Sequence, residues 1–279
     1  MVKLARSKAR YPFPMRIVRF SPGGSDPALG LGSDPLFGLI NEDNQIAVLV
    51  GDPLYAGITP NGKSVALDQV RLLAPVLPRS KVVCIGKNYA DHAKEMGGDV
   101  PAEPIIFLKP NTSVVGPGDT IAWPAMSDRV DHEAELAIVI GRICKDVPKE
   151  RFNDVIFGYT LANDVTARDL QKKDGQWTRA KGFDTFCPLG PWIDTDFVPG
   201  DQAITATLNG EIKQSAQLSD MIFDIPTIIN FVSQVMTLLP GDVILTGTPA
   251  GIGPMPERSV ITVAIEGLGE LTNKVSVHG

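Results

Sequence analysis

Glu133 and Glu135 stand two residues apart in HEAELAIVIG, a segment that is otherwise strongly apolar. If this segment is a strand, both side chains point to the same face, because successive residues of a strand alternate. Two ionised carboxylates in one partly buried place are costly unless a cation neutralises them. Hard oxygen ligands of this type suit Mg²⁺ or Mn²⁺. The pair therefore indicates a divalent-metal site that needs a third acidic ligand.

Asp164, in GYTLANDVTARDLQ, is the obvious third ligand. It ends a second apolar strand immediately before a polar, helix-compatible stretch, and strand ends are good places for metal ligands. The same spacing also fits a different arrangement, in which the two glutamates lie on an exposed edge strand and Asp164 caps a helix. The spacing of the acids leaves both interpretations open.

A histidine and a glutamate in CIGKNYADHAKEM could supply acid–base chemistry. We predict a short helix from Tyr89 to Met96, capped by Asn88. His92 and Glu95 stand three residues apart on it and so share a face. Glu95 could orient His92 and raise its basicity, and such a pair can activate water. The alternative is an ordinary solvated helix face.

The chain contains three histidines, which narrows the choice of a general base. His278 lies at the end of the chain. His132 should face away from Glu133 on the predicted strand, because neighbouring side chains alternate. His92 is therefore the best candidate.

A lysine and a glycine-rich loop could contact an anionic substrate. Lys181, in WTRAKGFDTFCPLGP, lies among aromatic, glycine and proline residues and could present a cation to a carbonyl or enolate oxygen. TGTPAGIG follows the predicted strand DVILT, and its backbone N–H groups could hold a carboxylate. This loop lacks the GK[ST] ending of a phosphate loop and does not match GxGxxG. A solvated lysine and a plain tight turn remain the alternatives.

The composition limits the class of protein. The 279 residues include 32 acidic and 26 basic side chains, a net charge of −6, which argues against a general nucleic-acid surface. Three cysteines lie far apart without a CxxC pair, and an odd number cannot complete a disulfide framework. No uninterrupted apolar run reaches the roughly 18 residues of a membrane-spanning helix. We therefore expect a cytoplasmic protein that binds neither nucleic acid nor membrane.

The first 14 residues carry four basic side chains and no acidic one, but they lack the apolar stretch of a secretory signal. We interpret them as an extension ahead of a first strand, MRIVRF, that begins at Met15. An organelle-targeting peptide is the alternative.

Strand and turn signals dominate the organisation of the chain. Residues 15–78 combine short apolar runs with glycine, proline and aspartate clusters. We predict a small N-terminal strand-and-turn domain, with the extension, over residues 1–78, and a catalytic domain over residues 79–279, with LLAPVLPRS as a linker.

In the second domain, KVVCIG, PIIFL, ELAIVI and DVILT are predicted strands. Asn209-Gly210 predicts a two-residue hairpin, and VITVAI with ELTNKVSV predicts a closing hairpin around Gly267 and Gly269. One amphipathic helix is predicted from Pro226 to Leu239, with Asp224 as its cap. The fold class is therefore strand-rich α+β, without the regular alternation of a Rossmann fold or a TIM barrel.

Taken in order, six motifs closely resemble those of the fumarylacetoacetate hydrolase family. They are CIGKNYADHAKEM, EPIIFLKP, DHEAELAIVIGR, GYTLANDVTARDLQ, WTRAKGFDTFCPLGP and GDVILTGTPAGIG, and the resemblance covers roughly residues 80 to 279. It implies a mixed β-roll catalytic fold, a homodimer, and Mg²⁺ or Mn²⁺ bound at the positions of Glu133, Glu135 and Asp164.

The same resemblance implies roles for other residues. His92 and Glu95 match the catalytic pair of the family. Lys181 and Gln171 match positions near the oxo and carboxylate groups of the substrate, and Thr248 matches a carboxylate contact in the glycine loop. Three consecutive residues match the edge of a mobile lid in the family: Lys87, Asn88 and Tyr89.

These roles lead to a hypothesis for the reaction. A small 2-oxo acid chelates the metal, which stabilises an enolate, and the adjacent carbon–carbon bond breaks. Oxaloacetate would be decarboxylated, and an acylpyruvate would be hydrolysed by water that His92 and Glu95 activate. One alternative is proton transfer in an isomerase of 2-hydroxyhepta-2,4-diene-1,7-dioate. Another is a non-catalytic protein that binds a metal or a small acid.

Overall fold

The computed structural model of the protein describes residues 15–23 and 30–277. The predictions about residues 1–14 and His278 fall outside these ranges. Within them, no helix is long and apolar enough to cross a membrane. The three cysteines, Cys84, Cys144 and Cys187, are free thiols.

The N-terminal region forms a strand unit that is continuous with the rest of the fold. Its elements are β1 (Arg16–Ser21), β2 (Leu36–Ile40), β3 (Gln45–Leu49), α1 (Pro53–Ala56), β4 (Pro60–Ala66) and β5 (Arg71–Leu73). The first strand begins where MRIVRF predicts it. The linker prediction is wrong for Leu72 and Leu73, because β5 pairs with β1 and these residues are part of the sheet.

The second region contains the remaining strands and helices. The helices are α2 (Ala90–Glu95), α3 (Arg168–Asp174), α4 (Thr178–Gly182) and α5 (Ile225–Val235), with 3-10 turns at Asn111–Ser113, Lys149–Asp154 and Leu218–Asp220. A further 3-10 turn, Leu67–Gln69, belongs to the N-terminal region, between β4 and β5. The strands are β6 (Val82–Gly86), β7 (Ile105–Lys109), β8 (Val114–Val115), β9 (Thr120–Ile121), β10 (Val130–His132), β11 (Ala134–Ile140), β12 (Ile156–Asn163), β13 (Thr166–Ala167), β14 (Cys187–Asp194), β15 (Ala203–Leu208), β16 (Glu211–Gln217), β17 (Val243–Leu245), β18 (Gly253–Pro254), β19 (Val260–Ile265) and β20 (Gly269–Val275).

These strands form three sheets within the described part of the chain. The largest runs β4-β3-β2-β1-β14-β12-β11-β17-β6-β7, with β5 on β1 and β8 on β14. A second runs β16-β15-β19-β20-β9, and a small third runs β13-β10-β18. Most neighbours are antiparallel, but β17 and β6 are parallel, so the main sheet is mixed. The prediction of a strand-rich α+β fold with a small N-terminal domain is confirmed.

Turn residues set the hairpins where the sequence predicts them. Asn209 and Gly210 both have positive φ, 50° and 86°, which is the backbone of a two-residue hairpin turn. They join β15 to β16, and the turn containing Gly267 joins β19 to β20.

Helix α5 begins as the sequence predicts and ends earlier. The Asp224 side chain accepts from Thr227 N at 2.9 Å, and Pro226 lies in the first turn. The predicted end at Leu239 is wrong, because the helix stops at Val235. Beyond it the chain is extended, and Leu238 forms a β-bridge with Cys144.

Strand β11 is an interior strand of the main sheet. It pairs with β12 on one side and with β17 on the other, and all of its residues are buried. Glu133 and Glu135 are only 4% and 2% exposed. The interpretation that placed these glutamates on an exposed edge strand is therefore wrong.

Candidate metal centre and active site

Three carboxylates meet where β11 begins and β12 ends. Glu133 immediately precedes β11, Glu135 lies on it, and Asp164 follows β12 directly. The two strands are antiparallel, with Ala134 opposite Asn163, so the start of one lies beside the end of the other. One oxygen from each acid lies within 4.8 Å of the others, and all three residues are buried. The three predicted ligands form a single acidic cluster.

Three buried cations surround two of these acids. Lys181 Nζ donates to Glu133 Oε2 at 2.7 Å and to Asp164 Oδ2 at 2.6 Å. Lys109 Nζ donates to Asp164 Oδ1 at 2.6 Å, and Arg168 Nη2 donates to Glu133 Oε1 at 2.5 Å. Each carboxylate oxygen has a second lone pair, so these bonds leave room for a metal.

Glu135 differs from its two neighbours, since no salt bridge reaches it from any residue of the described ranges. Its Oε2 accepts a hydrogen bond from Gly247 N at 2.6 Å. Gly247 has φ of 100°, and a Cβ there would lie 2.5 Å from the Cβ of Asn88, so only glycine allows this approach.

The electrostatics of the acids fit a divalent cation. Burial, reinforced by Asp164 and Glu133, raises the pKa of Glu135 well above its usual value. A buried carboxylate without a cationic partner is stabilised by a metal ion, and three carboxylate oxygens are the donor set that Mg²⁺ and Mn²⁺ prefer. The residues present therefore fit the predicted metal.

Charge pairing holds the other groups in their ionised forms. Burial opposes the charged form of Glu133, but the cations of Lys181 and Arg168 outweigh it and hold the pKa of this carboxyl far below its ordinary value. Burial likewise opposes the charge of Lys181, and Asp164 and Glu133 outweigh it, which raises the pKa of Lys181 to about 12. Lys181 is therefore a hydrogen-bond donor at neutral pH.

The predicted acid–base pair lies at the edge of the same cavity. His92 is buried on α2 and lines the cavity together with the three acids. Its Nδ1 lies 3.2 Å from Glu95 Oε2, and Gly251 N donates to both oxygens of Glu95 at 3.1 and 3.2 Å. Glu95 is thus fixed from two sides and orients the ring of His92.

Three of the predicted substrate residues line this cavity, and two do not. Lys87, Gln171 and Thr248 are among the lining residues, together with the side chain of Lys181. Neither Asn88 nor Tyr89 lines it.

Asn88 has a different place in the fold. Its predicted role as a helix cap is wrong, because Tyr89 holds the cap position and no side chain among the described residues caps α2. The Asn88 amide instead donates to Thr246 O at 2.7 Å and to Phe223 O at 3.0 Å, and it accepts from Phe223 N at 2.7 Å. It ties the glycine loop to the segment before α5.

Sequence reasoning missed two of the cations, Lys109 and Arg168. Arg168 Nε donates to Asp131 Oδ2 at 2.9 Å and Nη1 donates to Gln171 Oε1 at 2.5 Å. With its bond to Glu133, Arg168 links this predicted ligand to Asp131 and Gln171. Both cations lie inside motifs already selected, EPIIFLKP and GYTLANDVTARDLQ. The sequence signal that could have found them is a basic side chain at a strand end: Lys109 is the last residue of β7, and Arg168 directly follows β13.

Replacing Lys109 with methionine is expected to lower the free energy of unfolding of the metal-free protein by about 1–3 kcal/mol, because Asp164 loses one of its two buried cationic partners and keeps Lys181. Lys109 is 1% exposed, and it also donates to Val165 O at 3.1 Å. Urea unfolding measures the change. Lys94→Met is the control, since Lys94 pairs with Asp91 on the exposed face of α2. A loss no larger than that of the control would contradict a structural role for Lys109.

Comparison with known families covers almost the whole described chain. The family model described as fumarylacetoacetate (FAA) hydrolase, C-terminal, matches residues 81–276. The model described as Rv2993c-like, N-terminal, matches residues 15–75.

The individual relatives are named for different reactions. A crystal structure named 2-hydroxyhepta-2,4-diene-1,7-dioate isomerase, from Mycobacterium marinum, is 48% identical, covers 94% of this chain and 98% of that one, and superposes with a TM-score of 0.83. Human mitochondrial oxaloacetate tautomerase is 44% identical over 70% of this chain and 90% of its own. Fumarylpyruvate hydrolase from Pseudomonas aeruginosa, solved with Mn²⁺ and pyruvate, is 33% identical over 74% of this chain and 91% of its own, with a TM-score of 0.68.

Proposed function

Since the chain belongs to the fumarylacetoacetate hydrolase family, we propose that it is a Mg²⁺- or Mn²⁺-dependent enzyme that cleaves a carbon–carbon bond of a small 2-oxo acid. The substrate is oxaloacetate, which is decarboxylated, or an acylpyruvate, which is hydrolysed. One observation carries the proposal: a buried cluster of three carboxylates shares a cavity with His92, whose ring is paired with Glu95.

The side chains around the cavity have complementary tasks in this reaction. A cation bound by Glu133, Glu135 and Asp164 would supply Lewis acidity to the 2-oxo group of the substrate. Lys181 carries a positive charge beside these acids and donates to substrate oxygens that gain negative charge. Its position is fixed by Glu133 and Asp164, so little reorganisation is needed when that charge develops.

Hydrolysis of an acylpyruvate needs a base for water, and His92 provides it. His92 removes a proton while the water oxygen bonds to the acyl carbon. The bond from that carbon to the neighbouring CH₂ group then breaks, and its electron pair stays on the CH₂ carbon. A proton delivered to this carbon completes pyruvate, and the acyl fragment leaves as a carboxylate. Decarboxylation of oxaloacetate needs the same final protonation but no attacking water.

Isomerisation or tautomerisation by proton transfer is a second candidate. It is favoured by two relatives, one 48% identical and named as an isomerase and one 44% identical and named as an oxaloacetate tautomerase. Proton transfer beside a 2-oxo group uses the same carboxylates and the same base, without bond cleavage.

A substrate panel tests the proposed function. Oxaloacetate, an acylpyruvate and 2-hydroxyhepta-2,4-diene-1,7-dioate are each incubated with the purified protein and Mg²⁺ or Mn²⁺, and then with EDTA. Pyruvate release that depends on the metal is the expected result. Conversion of the diene dioate or of the enol of oxaloacetate, without pyruvate release, would favour the second candidate. Equal activity after removal of the metal would contradict both.

Binding of Mn²⁺ is expected to release protons and to weaken as the pH falls. Burial and the neighbouring acids raise the pKa of Glu135, so the metal must displace a proton that an ordinary carboxylate would already have lost. The weakening therefore begins at a higher pH than the usual carboxylate range. Calorimetry in two buffers with different ionisation enthalpies counts the protons. Affinity that does not change with pH would argue against Glu135 as a ligand.

We also propose a homodimer. Gel filtration with light scattering measures the mass in solution, and a mass near the 29.9 kDa of one chain would contradict it.

A further inference from the structure

Gln214 reaches the candidate active site from a different sheet. It lies on β16, in the sheet that packs beside the main one, and is 1% exposed between neighbours that are partly or fully exposed. Its side chain extends to the glycine loop and to the start of β11, the two segments that carry Thr248 and the glutamates.

Four hydrogen bonds use the whole capacity of the Gln214 amide. Its Oε1 accepts from Ala134 N at 3.0 Å and lies 3.0 Å from His132 Nδ1. Its Nε2 donates to Pro249 O and to Thr248 Oγ1, both at 2.8 Å. An amide has two donor hydrogens and two acceptor lone pairs, so none is left over.

Two main-chain groups fix the orientation of this amide. Ala134 N–H can only donate, so the atom facing it must be oxygen, and Pro249 C=O can only accept, so the atom facing it must be nitrogen. A flipped amide would break both bonds. The nitrogen that faces Thr248 Oγ1 is therefore a donor, and the hydroxyl of Thr248 accepts that bond.

The bond from Gln214 Nε2 limits the further hydrogen bonds that the Thr248 hydroxyl can form. Within residues 15–23 and 30–277, no acceptor is hydrogen-bonded to the Thr248 hydroxyl, although Thr248 is 2% exposed and lines the cavity. One lone pair of Oγ1 is taken by Gln214, so the remaining bond of the hydroxyl is best made through its hydrogen, towards the cavity. An oxygen acceptor in the cavity satisfies it, and an N–H group does not.

We infer that Gln214 is a positioning residue that makes Thr248 a hydrogen-bond donor to a carboxylate of the substrate. This inference rests on the proposed function, because it requires a 2-oxo acid in the cavity. It adds a basis for selecting substrates: the position opposite Thr248 takes an acceptor such as a carboxylate oxygen and discriminates against a group that can only donate hydrogen bonds.

Replacement of Gln214 by glutamate reverses the bond with little change in shape. A carboxylate still accepts from Ala134 N and His132 Nδ1. Its second oxygen cannot donate, so the bonds to Thr248 Oγ1 and Pro249 O are both lost, and this oxygen instead accepts from the Thr248 hydroxyl. The hydroxyl hydrogen then points away from the cavity. Loss of one hydrogen bond to a charged ligand weakens binding by about 10- to 100-fold.

The probe for this test is oxalate, a dianion that presents adjacent oxygen acceptors like those of a 2-oxo acid. Calorimetry with the Mn²⁺-loaded protein compares the wild type with Gln214→Glu, Thr248→Ala and the double variant. We expect each single variant to weaken oxalate binding by a similar factor, and the double variant to bind no more weakly than Thr248→Ala. The affinity for Mn²⁺ is measured in each variant and is expected to be retained.

The matched control is Ser215→Asp, which adds the same charge at the next residue of β16, where the side chain is exposed. It should bind oxalate like the wild type. If Gln214→Glu does not fold, Gln214→Asn replaces it, because the shorter amide cannot reach both the glycine loop and the start of β11. Its loss of oxalate affinity is expected to be smaller, and this loss must also vanish when Thr248→Ala is already present.

Three outcomes would overturn the inference. The first is wild-type oxalate affinity in the Gln214 variant. The second is a further loss of oxalate affinity when Gln214→Glu is added to Thr248→Ala. The third is a loss of Mn²⁺ affinity in the Gln214 variant as large as its loss of oxalate affinity. Either of these two results would assign Gln214 a general structural role. Failure of the Mn²⁺-loaded wild type to bind oxalate would instead count against the proposed function, and with it against the inference.

Discussion

Replacement of Glu135 by glutamine is expected to abolish Mn²⁺ binding and to lower turnover of the preferred 2-oxo acid by about 10³-fold or more. Glutamine has nearly the same shape and can still accept the hydrogen bond from Gly247 N. It lacks the negative charge that a divalent cation requires. Calorimetry with Mn²⁺ and steady-state kinetics measure the two effects.

The same variant is expected to fold at least as stably as the wild type when both are metal-free. In the folded protein the pKa of Glu135 is raised, so the metal-free wild type loses stability as the pH rises from the ordinary carboxylate pKa towards the folded one. Glutamine removes this loss. Thermal melts at neutral pH, with and without Mn²⁺, should therefore show a metal-induced shift only in the wild type.

Glu103→Gln is the control, because it makes the same change at an exposed position. It should keep both the Mn²⁺ affinity and the activity of the wild type. Retention of wild-type Mn²⁺ affinity in Glu135→Gln would eliminate the three-carboxylate site as the metal centre.

His92→Asn is expected to lower the rate of acylpyruvate hydrolysis by about 10²- to 10⁴-fold while leaving Mn²⁺ binding intact. Asparagine can place an amide near the position of Nδ1, so the bond to Glu95 survives, but it has no group that accepts a proton from water. Decarboxylation of oxaloacetate is expected to fall less, because it needs no attacking water. Stopped assays of pyruvate release, run side by side on the two substrates, measure the difference.

Asp91→Asn is the matched control for the histidine variant. Asp91 precedes His92 on α2 and its side chain is 82% exposed, so its replacement tests any general disturbance of the helix. It should leave both rates unchanged. Hydrolysis at the wild-type rate in His92→Asn would contradict the assignment of this residue as the base.

The sequence predicts the acidic centre well because its signals are local. Glu133 and Glu135 interrupt an apolar strand at a spacing of two, and Asp164 ends the next strand along the chain. Antiparallel pairing of β11 with β12 then brings the three together. The spacing could not decide between a buried strand and an exposed one, since that depends on β17, which comes from a distant part of the chain.

The partners of these residues depend on tertiary structure, which explains the errors. Asparagine often caps helices, which is why the sequence predicts this role for Asn88. In the structure its side chain instead bonds to main-chain groups of Thr246 and Phe223, which come from distant segments. Gln214 gives no signal in its own strand, because its importance comes from Ala134 and Pro249. Local patterns predict which elements form, and the packing of distant segments decides which polar groups meet.

The parallel pairing of β6 with β17 also bears on how the protein folds. Val82–Gly86 and Val243–Leu245 lie near opposite ends of the second region, yet they are direct neighbours in the sheet. Gly247, which donates a hydrogen bond to Glu135, lies two residues after the end of β17, so the complete centre requires this late, long-range contact. Pairing of distant segments slows folding, because chain entropy is lost before the contacts form. Metal binding should therefore follow folding and stabilise its product, and Mn²⁺ should slow unfolding without accelerating refolding.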